Sequence, residues 1–396
     1  MKKVRFGIVG LGAMGGGHMQ NILDDASRDL CLTAVCDVVP EVALRGGEKA
    51  CVPAFVDYKE MIDSGLIDAV LIAVPHYWHA PIAIYAARRK VHVLSEKPLS
   101  STVGHARAVV AECKRNKVAL AGVLQHRTRG VMIKMKQMVD SGKIGEVFRV
   151  HMMCSNWFRP QAYYDSGAWR GTWDGEGGGV LINQAPHHLD LFQWIGLGLP
   201  QRVMGMLDTR EHRIEVEDTA NFLCDYGHGR VGYLYATTAE QPGLEQFMIS
   251  GDRGLLYWDG TKLTFGKMKM PVKKYLYTCK ATWGDPTMQS CTWEDVAPAR
   301  DLGGHEGIVR NFAAHLVRGA KLLAPGAEMI NELELSNAMH LAGHTGRTVE
   351  LPVAAAAMEK LIDKLERERS TGRGGGMRAK ANREFRRLIK TPPIDV

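Results

Sequence analysis

Short apolar runs recur through the first third of the chain, each followed by a longer stretch whose apolar positions are three or four residues apart. Uninterrupted short runs are typical of strands buried on both faces of a parallel sheet, and the spaced stretches are typical of helices. The apolar runs lie at 4–9, 32–37, 67–75, 91–95 and 118–124. The pattern predicts an α/β domain over residues 1–124 with a doubly wound parallel sheet.

The pattern changes after residue 125. Between residues 202 and 293, short alternating runs are separated by turn residues, which favours an antiparallel sheet. Helices are predicted at 305–318 and at 328–350, and the second should pack back on the first domain. We expect a second α/β domain over 125–355, followed by a basic helical tail over 356–396.

Length and composition agree with two folded domains. The chain has 396 residues, of which 45% are hydrophobic, and no apolar run reaches the length of about 18 residues that a membrane span needs. The N-terminus enters a strand pattern without a signal-peptide cleavage site, so we expect a cytoplasmic protein. The eight cysteines form no Cys-x-x-Cys pair, which favours buried reduced thiols, and no metal cluster is visible.

The net charge of +7 is unevenly distributed. Residues 356–396 hold eleven Lys or Arg against six Asp or Glu, so this tail accounts for +5 of the total. A basic tail on a nearly neutral body is weak support for nucleic-acid binding. We expect no nucleic-acid partner and a tail that wraps the body or a neighbouring subunit.

A glycine-rich turn follows the first apolar run. Gly10, Gly12 and Gly15 have the G-x-G-x-x-G spacing, and a helical stretch comes next. The first glycine allows the tight turn, the second allows close approach of a pyrophosphate, and the third allows close packing of helix on strand. The phosphates would lie on free N–H groups of the first helical turn, near Ala13 and Met14.

An acidic residue ends the second apolar run, 22 positions after Gly15. The carboxylate of Asp37 can accept hydrogen bonds from both ribose hydroxyls of an adenosine, and it would repel a 2′-phosphate. No arginine follows it directly, so we predict NAD rather than NADP as the cofactor. The alternative is a solvated acid at the end of a strand.

Three further segments should face the cofactor, because ligands of open α/β sheets bind beyond the carboxyl ends of the strands. The first follows the run at 67–75, and its histidines either contact the ribose or cap the next helix. The second is the charged segment after the run at 91–95, in which a lysine could instead be surface decoration. The third begins at Gln125, directly after the run at 118–124. The candidate residues of all three segments are Val74, Pro75, His76, His79, Glu96, Lys97 and Gln125.

An aromatic segment without clear periodicity occupies residues 157–176. It holds three Trp, two Tyr and two Arg within its first 17 positions. Flat aromatic faces stack on the C–H faces of pyranose rings, and guanidinium groups bind pairs of hydroxyls. We predict that Arg159, Tyr164 and Arg170 bind substrate, whereas the other reading is an ordered loop whose aromatic rings pack on the core.

The segment 177–190 begins with three glycines, which let the chain pass close to a ligand. Pro186 suits the first turn of a helix, which places Asn183 and His187 near its start. A helix N-terminus disfavours imidazolium, so we expect a neutral His187 that can accept a proton. Asp190, one turn on, either orients His187 or caps the helix.

These motifs together resemble the glucose-fructose oxidoreductase / inositol dehydrogenase / rhizopine-catabolism (Gfo/Idh/MocA) family over about residues 1–355. The marks are the glycine turn, Asp37, the Glu96-Lys97-Pro98 segment and residues 177–190. The resemblance implies an N-terminal Rossmann domain and a C-terminal domain with an open, mostly antiparallel sheet that commonly packs against a partner subunit. Members mostly oxidise or reduce a secondary alcohol of a sugar, inositol or nucleotide sugar with NAD(H) or NADP(H).

The resemblance places catalytic roles on Lys97, Asn183 and His187, all three of which should also contact substrate. Many members carry Asp where this chain has Asn183, so a simple Asp–His relay is in doubt. The implied activity is an NAD-dependent dehydrogenase for a ring hydroxyl of a sugar or glycoside, with C3 as the suggested position and a homodimer or homotetramer as the assembly. Alternatives are an inositol dehydrogenase and a non-catalytic NAD-sensing regulator.

Overall fold

Six parallel strands form the first sheet of the computed structural model, which describes residues 3–27, 29–286, 290–369 and 371–390. The strands are β1 (Val4–Val9), β2 (Leu30–Cys36), β3 (Ala54–Phe55), β4 (Ala69–Ile72), β5 (His92–Ser95) and β6 (Leu120–Gly122). Their order is β3-β2-β1-β4-β5-β6, and all neighbours pair in parallel. The predicted doubly wound sheet is therefore confirmed, and its topological switch point lies between β1 and β4.

Five helices accompany this sheet. They are α1 (Ala13–Leu23), α2 (Pro40–Ala50), α3 (Tyr58–Asp63), α4 (His79–Arg88) and α5 (Val103–Asn116). The sequence pattern did not predict α2, in which Gly46 and Gly47 are buried, because glycine is a poor helix former. It also missed β3, which has only two residues.

Nine strands form the second sheet. They are β7 (Val147–Cys154), β8 (Arg202–Asp208), β9 (Thr219–Asp225), β10 (Val231–Thr237), β11 (Glu245–Gly251), β12 (Gly254–Trp258), β13 (Leu263–Met268), β14 (Cys291–Asp295) and β15 (Val349–Glu350). The order is β14-β13-β12-β11-β7-β10-β9-β8-β15. Strand β7 pairs in parallel with β10, whereas the other pairs are antiparallel. The predicted mostly antiparallel sheet is confirmed.

The described helices between the first sheet and the tail are α6 (Gly130–Asp140), α7 (Gln161–Asp165), α8 (Pro186–Ile195), α9 (Val272–Thr278), α10 (Gly304–Arg318) and α11 (Met329–Thr345). Helix α10 packs on β1 of the first domain, where Phe312 contacts Phe6, whereas α8 and α11 cover one face of the second sheet. Strand β7 buries alternate residues toward this face, namely Val150, Met152 and Cys154. Helix α8 is buried along most of its length, which holds the start of the helix in the interior of the molecule.

Helix α11 connects the two halves of the chain. The side chain of Asn337 accepts a hydrogen bond from the N–H of Val103 at 2.9 Å, at the start of α5. Glu334 of α11 forms an ion pair with Arg107 of α5 at 2.6 Å. These contacts fix the second sheet relative to the first.

The tail forms two helices, α12 (Ala357–Arg369) and α13 (Met377–Lys390). Helix α12 contributes to a small apolar cluster that is separate from the main core and consists of Trp173, Val216, Met358, Ile362 and Leu365. Because Trp173 belongs to the aromatic segment, this cluster fastens the tail to that segment.

Helix α13 begins at an acidic residue of the same segment. The carboxylate of Asp174 accepts the N–H groups of Met377 and Arg378 at 2.9 and 3.1 Å, as a capping residue does. Farther along α13, Phe385 stacks on His105 of α5 with ring centroids 3.8 Å apart. The tail thus wraps its own chain.

Among the described residues we find no helix with the length and apolar content that a membrane crossing requires. All eight cysteines are free, and four of them are buried.

Substituting Ile362→Asp should detach the tail, because the carboxylate would be buried in the apolar cluster without a partner. We expect limited proteolysis within residues 356–390 to speed up by about tenfold or more. The matched control is Lys364→Asp, at an exposed position on the same helix. Equal cleavage rates for the two variants would contradict the docking that the cluster describes.

Candidate active site

Gly12 and Gly15, in the turn before α1, differ in how closely other protein atoms approach them. A Cβ on Gly15 would lie 1.8 Å from the main-chain oxygen of Gly10, so packing of the turn requires glycine there. A Cβ on Gly12 would meet no protein atom within 4 Å. Protein packing therefore does not require glycine at position 12, and the open space there leaves room for close approach of a dinucleotide pyrophosphate.

The first turn of α1 keeps its N–H groups available. Its N-cap residue, Gly12, offers no side chain, and the turn that contains Ala13 and Met14 has no acidic residue. Asp37 lies beside the turn, where its carboxylate accepts the N–H of Leu11 at 2.8 Å. Free N–H groups for phosphates and an adjacent carboxylate for a ribose are the two parts of an NAD site.

The segment after β4 packs against the aromatic segment. His76 contacts the main-chain oxygen of Glu176 through Nδ1 at 3.0 Å. His79 lies between the main-chain oxygens of Val74 and Pro98, at 2.7 and 2.6 Å. Neither imidazole caps α4, so one of the two roles considered for these histidines does not apply.

Both oxygens of Glu96 bind protein groups. Oε1 lies 2.7 Å from Nε2 of His18 on α1, and Oε2 accepts the main-chain N–H of Lys97 at 3.1 Å. Glu96 therefore connects helix α1 to the main chain of Lys97.

Lys97 and Asn183 bring the two halves of the chain together. The ammonium of Lys97 donates to the main-chain oxygen of Asn183 at 2.7 Å. Burial lowers the pKa of Lys97, against the opposing effect of the Glu96 carboxylate. The lysine thus lies at the carboxyl edge of the first sheet, as the sequence predicted, and reaches the segment before α8.

His187 lies in the first turn of α8 and is 3% exposed. Its Nε2 is 3.0 Å from the amide nitrogen of Gln125, and its ring stacks on His126 at 4.6 Å. Burial lowers its pKa far below the usual value, with further contributions from His126 and Lys97. The expected neutral imidazole is thus present, but burial is the main reason rather than the helix N-terminus.

Behind His187 lies a buried ionic cluster. His188 contacts Cys154 at 3.1 Å and Glu245 at 2.9 Å, and Arg129 also donates to Glu245 at 3.1 Å. Burial would lower the pKa of His188, but Cys154 and Glu245 raise it to about 10. Ligand-type atoms of His126, His188 and Glu245 lie within 4.8 Å of one another. Protonated His188 and Arg129 therefore balance the negative charge of Glu245 within the cluster.

Asp190 does not perform either of the roles considered for it. Its carboxylate is buried and forms a two-point ion pair with Arg127, at 2.6 and 2.8 Å. It therefore neither orients His187 nor caps α8, and instead anchors the helix to Arg127.

The aromatic segment presents Tyr163, rather than Tyr164, to Asn183. The hydroxyl of Tyr164 is buried and bonded to Thr238 at 2.8 Å, which corrects the substrate-binding prediction for this residue. The hydroxyl of Tyr163 accepts hydrogen bonds from the amides of Asn183 and Gln184, each at 3.2 Å. Sequence alone could not choose between adjacent tyrosines, because their directions depend on the single turn of α7.

Both predicted arginines stack on Tyr163. The guanidinium carbons of Arg159 and Arg170 lie 5.0 and 4.3 Å from its ring centroid. They also lie over Trp157 and Trp169, at 5.2 and 4.5 Å, and Arg170 donates to the hydroxyl of Tyr163. The result is a layer of alternating cations and aromatic rings beside Asn183.

Glu176 is a site residue that the sequence analysis missed. It is 1% exposed, its Oε1 accepts from the side-chain amide of Asn183, and its Oε2 accepts the N–H of Gly171 at 2.6 Å. Burial raises its pKa to about 7. The available signal was its position directly before the three glycines of the 177–190 segment.

The triple glycine itself serves protein packing. A Cβ on Gly179 would lie 1.8 Å from the main-chain oxygen of Glu217. The carboxylate of Glu217 accepts the N–H groups of Gly179 and Leu181 at 3.0 Å. The expected reason for these glycines, approach to a ligand, is corrected here: at Gly179 the chain passes close to Glu217.

A parallel sheet of this order, with a glycine turn and an acid after its second strand, defines a dinucleotide-binding protein. Comparison with known proteins extends this conclusion. The model of an oxidoreductase family with an NAD-binding Rossmann fold matches residues 4–123, and the model of the GFO/IDH/MocA C-terminal domain matches residues 132–257. Together they span more than half of the chain, which belongs to the Gfo/Idh/MocA family of NAD-binding oxidoreductases.

Several relatives have named activities. The chain is 30% identical to inositol 2-dehydrogenase of Salmonella typhimurium over 173 residues, which are 41% of this chain and 51% of that protein. It is 25% identical to myo-inositol 2-dehydrogenase of Thermotoga maritima over 269 residues, or 66% and 77% of the two chains. The match thus spans about half the length of the Salmonella relative.

A solved structure is similar over nearly the whole fold. The WlbA dehydrogenase of Bordetella pertussis, in complex with NADH and UDP-GlcNAcA, is 27% identical, with a TM-score of 0.74. The similarity covers 89% of this chain and 100% of the other.

Substituting Asp37→Ser should weaken NAD binding by about tenfold and shift the preference toward NADP, because it removes a carboxylate that can bind a ribose and repel a phosphate. Calorimetric dissociation constants for both dinucleotides would measure the change. Glu41→Ser, a nearby exposed acid, is the control. An unchanged ratio of the two constants would contradict the assignment of Asp37.

Proposed function

We propose that the protein is an NAD-dependent dehydrogenase that oxidises a secondary ring hydroxyl of a sugar or glycoside to a ketone. One observation carries the proposal. Lys97, at the carboxyl edge of the NAD-binding sheet, donates to Asn183, whose amide in turn donates to Tyr163 of the arginine–tyrosine layer. Besides burial, which is the main cause, the charge of Lys97 also contributes to the lowered pKa of His187.

The reaction divides among groups that the chain provides. Bound NAD supplies the hydride acceptor, nicotinamide C4. Donation from the Gln125 amide makes Nε2 the unprotonated nitrogen of His187. The alcohol proton passes to this nitrogen when the substrate hydroxyl replaces Gln125 as its hydrogen-bond donor. The ammonium of Lys97 stabilises negative charge that develops on the substrate oxygen. The carbon loses a hydride and the oxygen loses a proton, which balances the oxidation to a ketone.

The substrate class follows from the layer around Tyr163. Its hydroxyl accepts from Arg170 and Gln184, so its own proton can be donated to an oxygen of the substrate. The rings of Trp157 and Trp169 offer apolar faces next to the two guanidinium groups. Stacking surfaces combined with hydrogen-bond donors suit a pyranose ring, and C3 of a glycoside is the position that we propose.

An inositol dehydrogenase is the second candidate, because relatives at 30% and 25% identity carry that name. A third possibility, an NAD-binding regulator without turnover, fits poorly with the buried neutral His187 and with Lys97. NADH formation with a panel of glycosides, free hexoses and inositols separates the three. Turnover on glycosides supports our proposal, turnover on inositols alone supports the second candidate, and NAD binding without any turnover supports the third.

We also propose that a second copy of the chain covers the outer face of the second sheet. Met206 and Tyr233 are 71% and 45% exposed there, on strands β8 and β10. Exposed apolar side chains on a broad sheet are typical of an interface between subunits. Sedimentation of the protein as a dimer or tetramer would support this assembly, and a monomer would contradict it.

Substituting Lys97→Ala should lower kcat by about 10² to 10⁴, because the charge that stabilises the substrate oxygen is lost. NAD affinity should change by about twofold at most, since the lysine contacts Asn183 rather than the glycine turn. Lys114→Ala, on the exposed side of α5, is the matched control. Full activity of the Lys97 variant would refute its catalytic role.

A further inference from the structure

We propose that Glu176 is a positioning residue that acts through Asn183 and determines whether the site favours the alcohol or the ketone. The inference rests on the proposed dehydrogenase function and deepens it. The carboxyl group of Glu176 does not itself touch the substrate. It sets the orientation of the side-chain amide of Asn183.

The geometry begins with the amide of Asn183. Its nitrogen donates to Oε1 of Glu176 and, at 3.2 Å, to the hydroxyl of Tyr163. An ionised carboxylate can only accept hydrogen bonds, so it holds the NH₂ group of the amide toward itself. The carbonyl oxygen, Oδ1, then points away from Glu176. In the described part of the chain, no protein group donates to this oxygen, and Asn183 is only partly buried.

A protonated Glu176 reverses the amide. The neutral carboxyl group can donate its O–H to Oδ1, which turns the NH₂ group toward the open side of the site. Tyr163 tolerates both orientations: its hydroxyl accepts from the NH₂ group in one and donates to Oδ1 in the other.

Both protonation states are accessible near neutral pH. Burial raises the pKa of Glu176 to about 7, while the N–H of Gly171, the amide of Asn183 and the charges of Arg170 and Lys97 act in the opposite direction. The other titratable groups facing it are Tyr163, Tyr164 and His76. A carboxyl group is ionised above its pKa, so the carboxylate form dominates above about pH 7 and the acid form below it.

The two amide orientations select different ligands. In the complex before reaction an alcohol donates its O–H and needs an acceptor, which Oδ1 provides when Glu176 is ionised. The same proton turns to Nε2 of His187 only in the reacting complex. A ketone has no proton to donate and needs a donor, which the NH₂ group provides when Glu176 is protonated. Alcohol binding should therefore strengthen, and ketone binding weaken, as the pH rises through about 7.

The experiment compares pH profiles of KM for alcohol oxidation and ketone reduction in the wild type and in Glu176→Gln. For the wild type we expect KM for the alcohol to fall, and KM for the ketone to rise, by about tenfold between about pH 6 and 8. The neutral side chain of the variant cannot titrate, so both profiles should be flat in this range. A variant that retains the wild-type profiles would overturn the inference.

Matched variants separate positioning from folding. Glu215→Gln makes the same substitution at a buried carboxylate that binds the N–H of Trp173 at 3.0 Å, and it should leave both profiles unchanged. The exchange Glu176→Gln with Asn183→Asp restores a carboxyl–amide pair with its partners reversed, and it should restore a pH dependence. A flat profile for the exchange would count against the pair as the titrating unit. If Glu176→Gln does not fold, Asn183→Ala provides the same comparison, with loss of the dependence expected.

A second readout requires no turnover. Infrared difference spectra of the full chain with bound NAD should show a protonated-carboxyl band that titrates near pH 7 and is absent from Glu176→Gln. Absence of this band from the wild type would overturn the inference. If the band titrates but no sugar or polyol is oxidised, the proposed function fails. If turnover occurs with unchanged profiles in Glu176→Gln, only the role of Glu176 fails.

Discussion

The hydrogen bond from the Lys97 ammonium to the main-chain oxygen of Asn183 is the contact around which the site is arranged. A lysine at the end of a buried strand must find acceptors, because an ammonium removed from water without partners is costly. The acceptor comes from the other half of the chain, from the segment just before α8. This contact therefore sets how closely the edge of the NAD-binding sheet approaches the segment that carries His187.

Buried ion pairs keep that segment in place. Asp190 and Arg127 hold α8 from one side, and the contacts of His188 with Cys154 and Glu245 hold it against the second sheet. Breaking one partner of such a pair leaves an uncompensated charge, so these contacts resist small displacements. Glu217 restrains the glycine segment in the same way through two N–H groups. The neutral His187 lies between these charged clusters.

The tail adds a support that lies outside the two matched family regions. Asp174 and Trp173, which anchor α13 and α12, lie within three residues of Glu176. The hydroxyl of Tyr77, in the turn after β4, donates to the main-chain oxygen of Trp173 at 2.8 Å. The tail thus packs behind the point where the turn after β4 meets the aromatic segment.

The sequence by itself determined the parallel and antiparallel sheets, the glycine turn, Asp37, and the placement of Lys97 and His187. These features depend on local periodicity and on spacing within one or two elements, and both can be read directly from the sequence. Only the tertiary structure decided that Tyr163 rather than Tyr164 faces Asn183, that Asp190 binds Arg127, and that Glu176 supplies a carboxyl group beside Asn183. Each of these outcomes depends on which distant side chain completes a buried hydrogen bond. Such a pairing is a property of packing in three dimensions, so no pattern in the sequence specifies it.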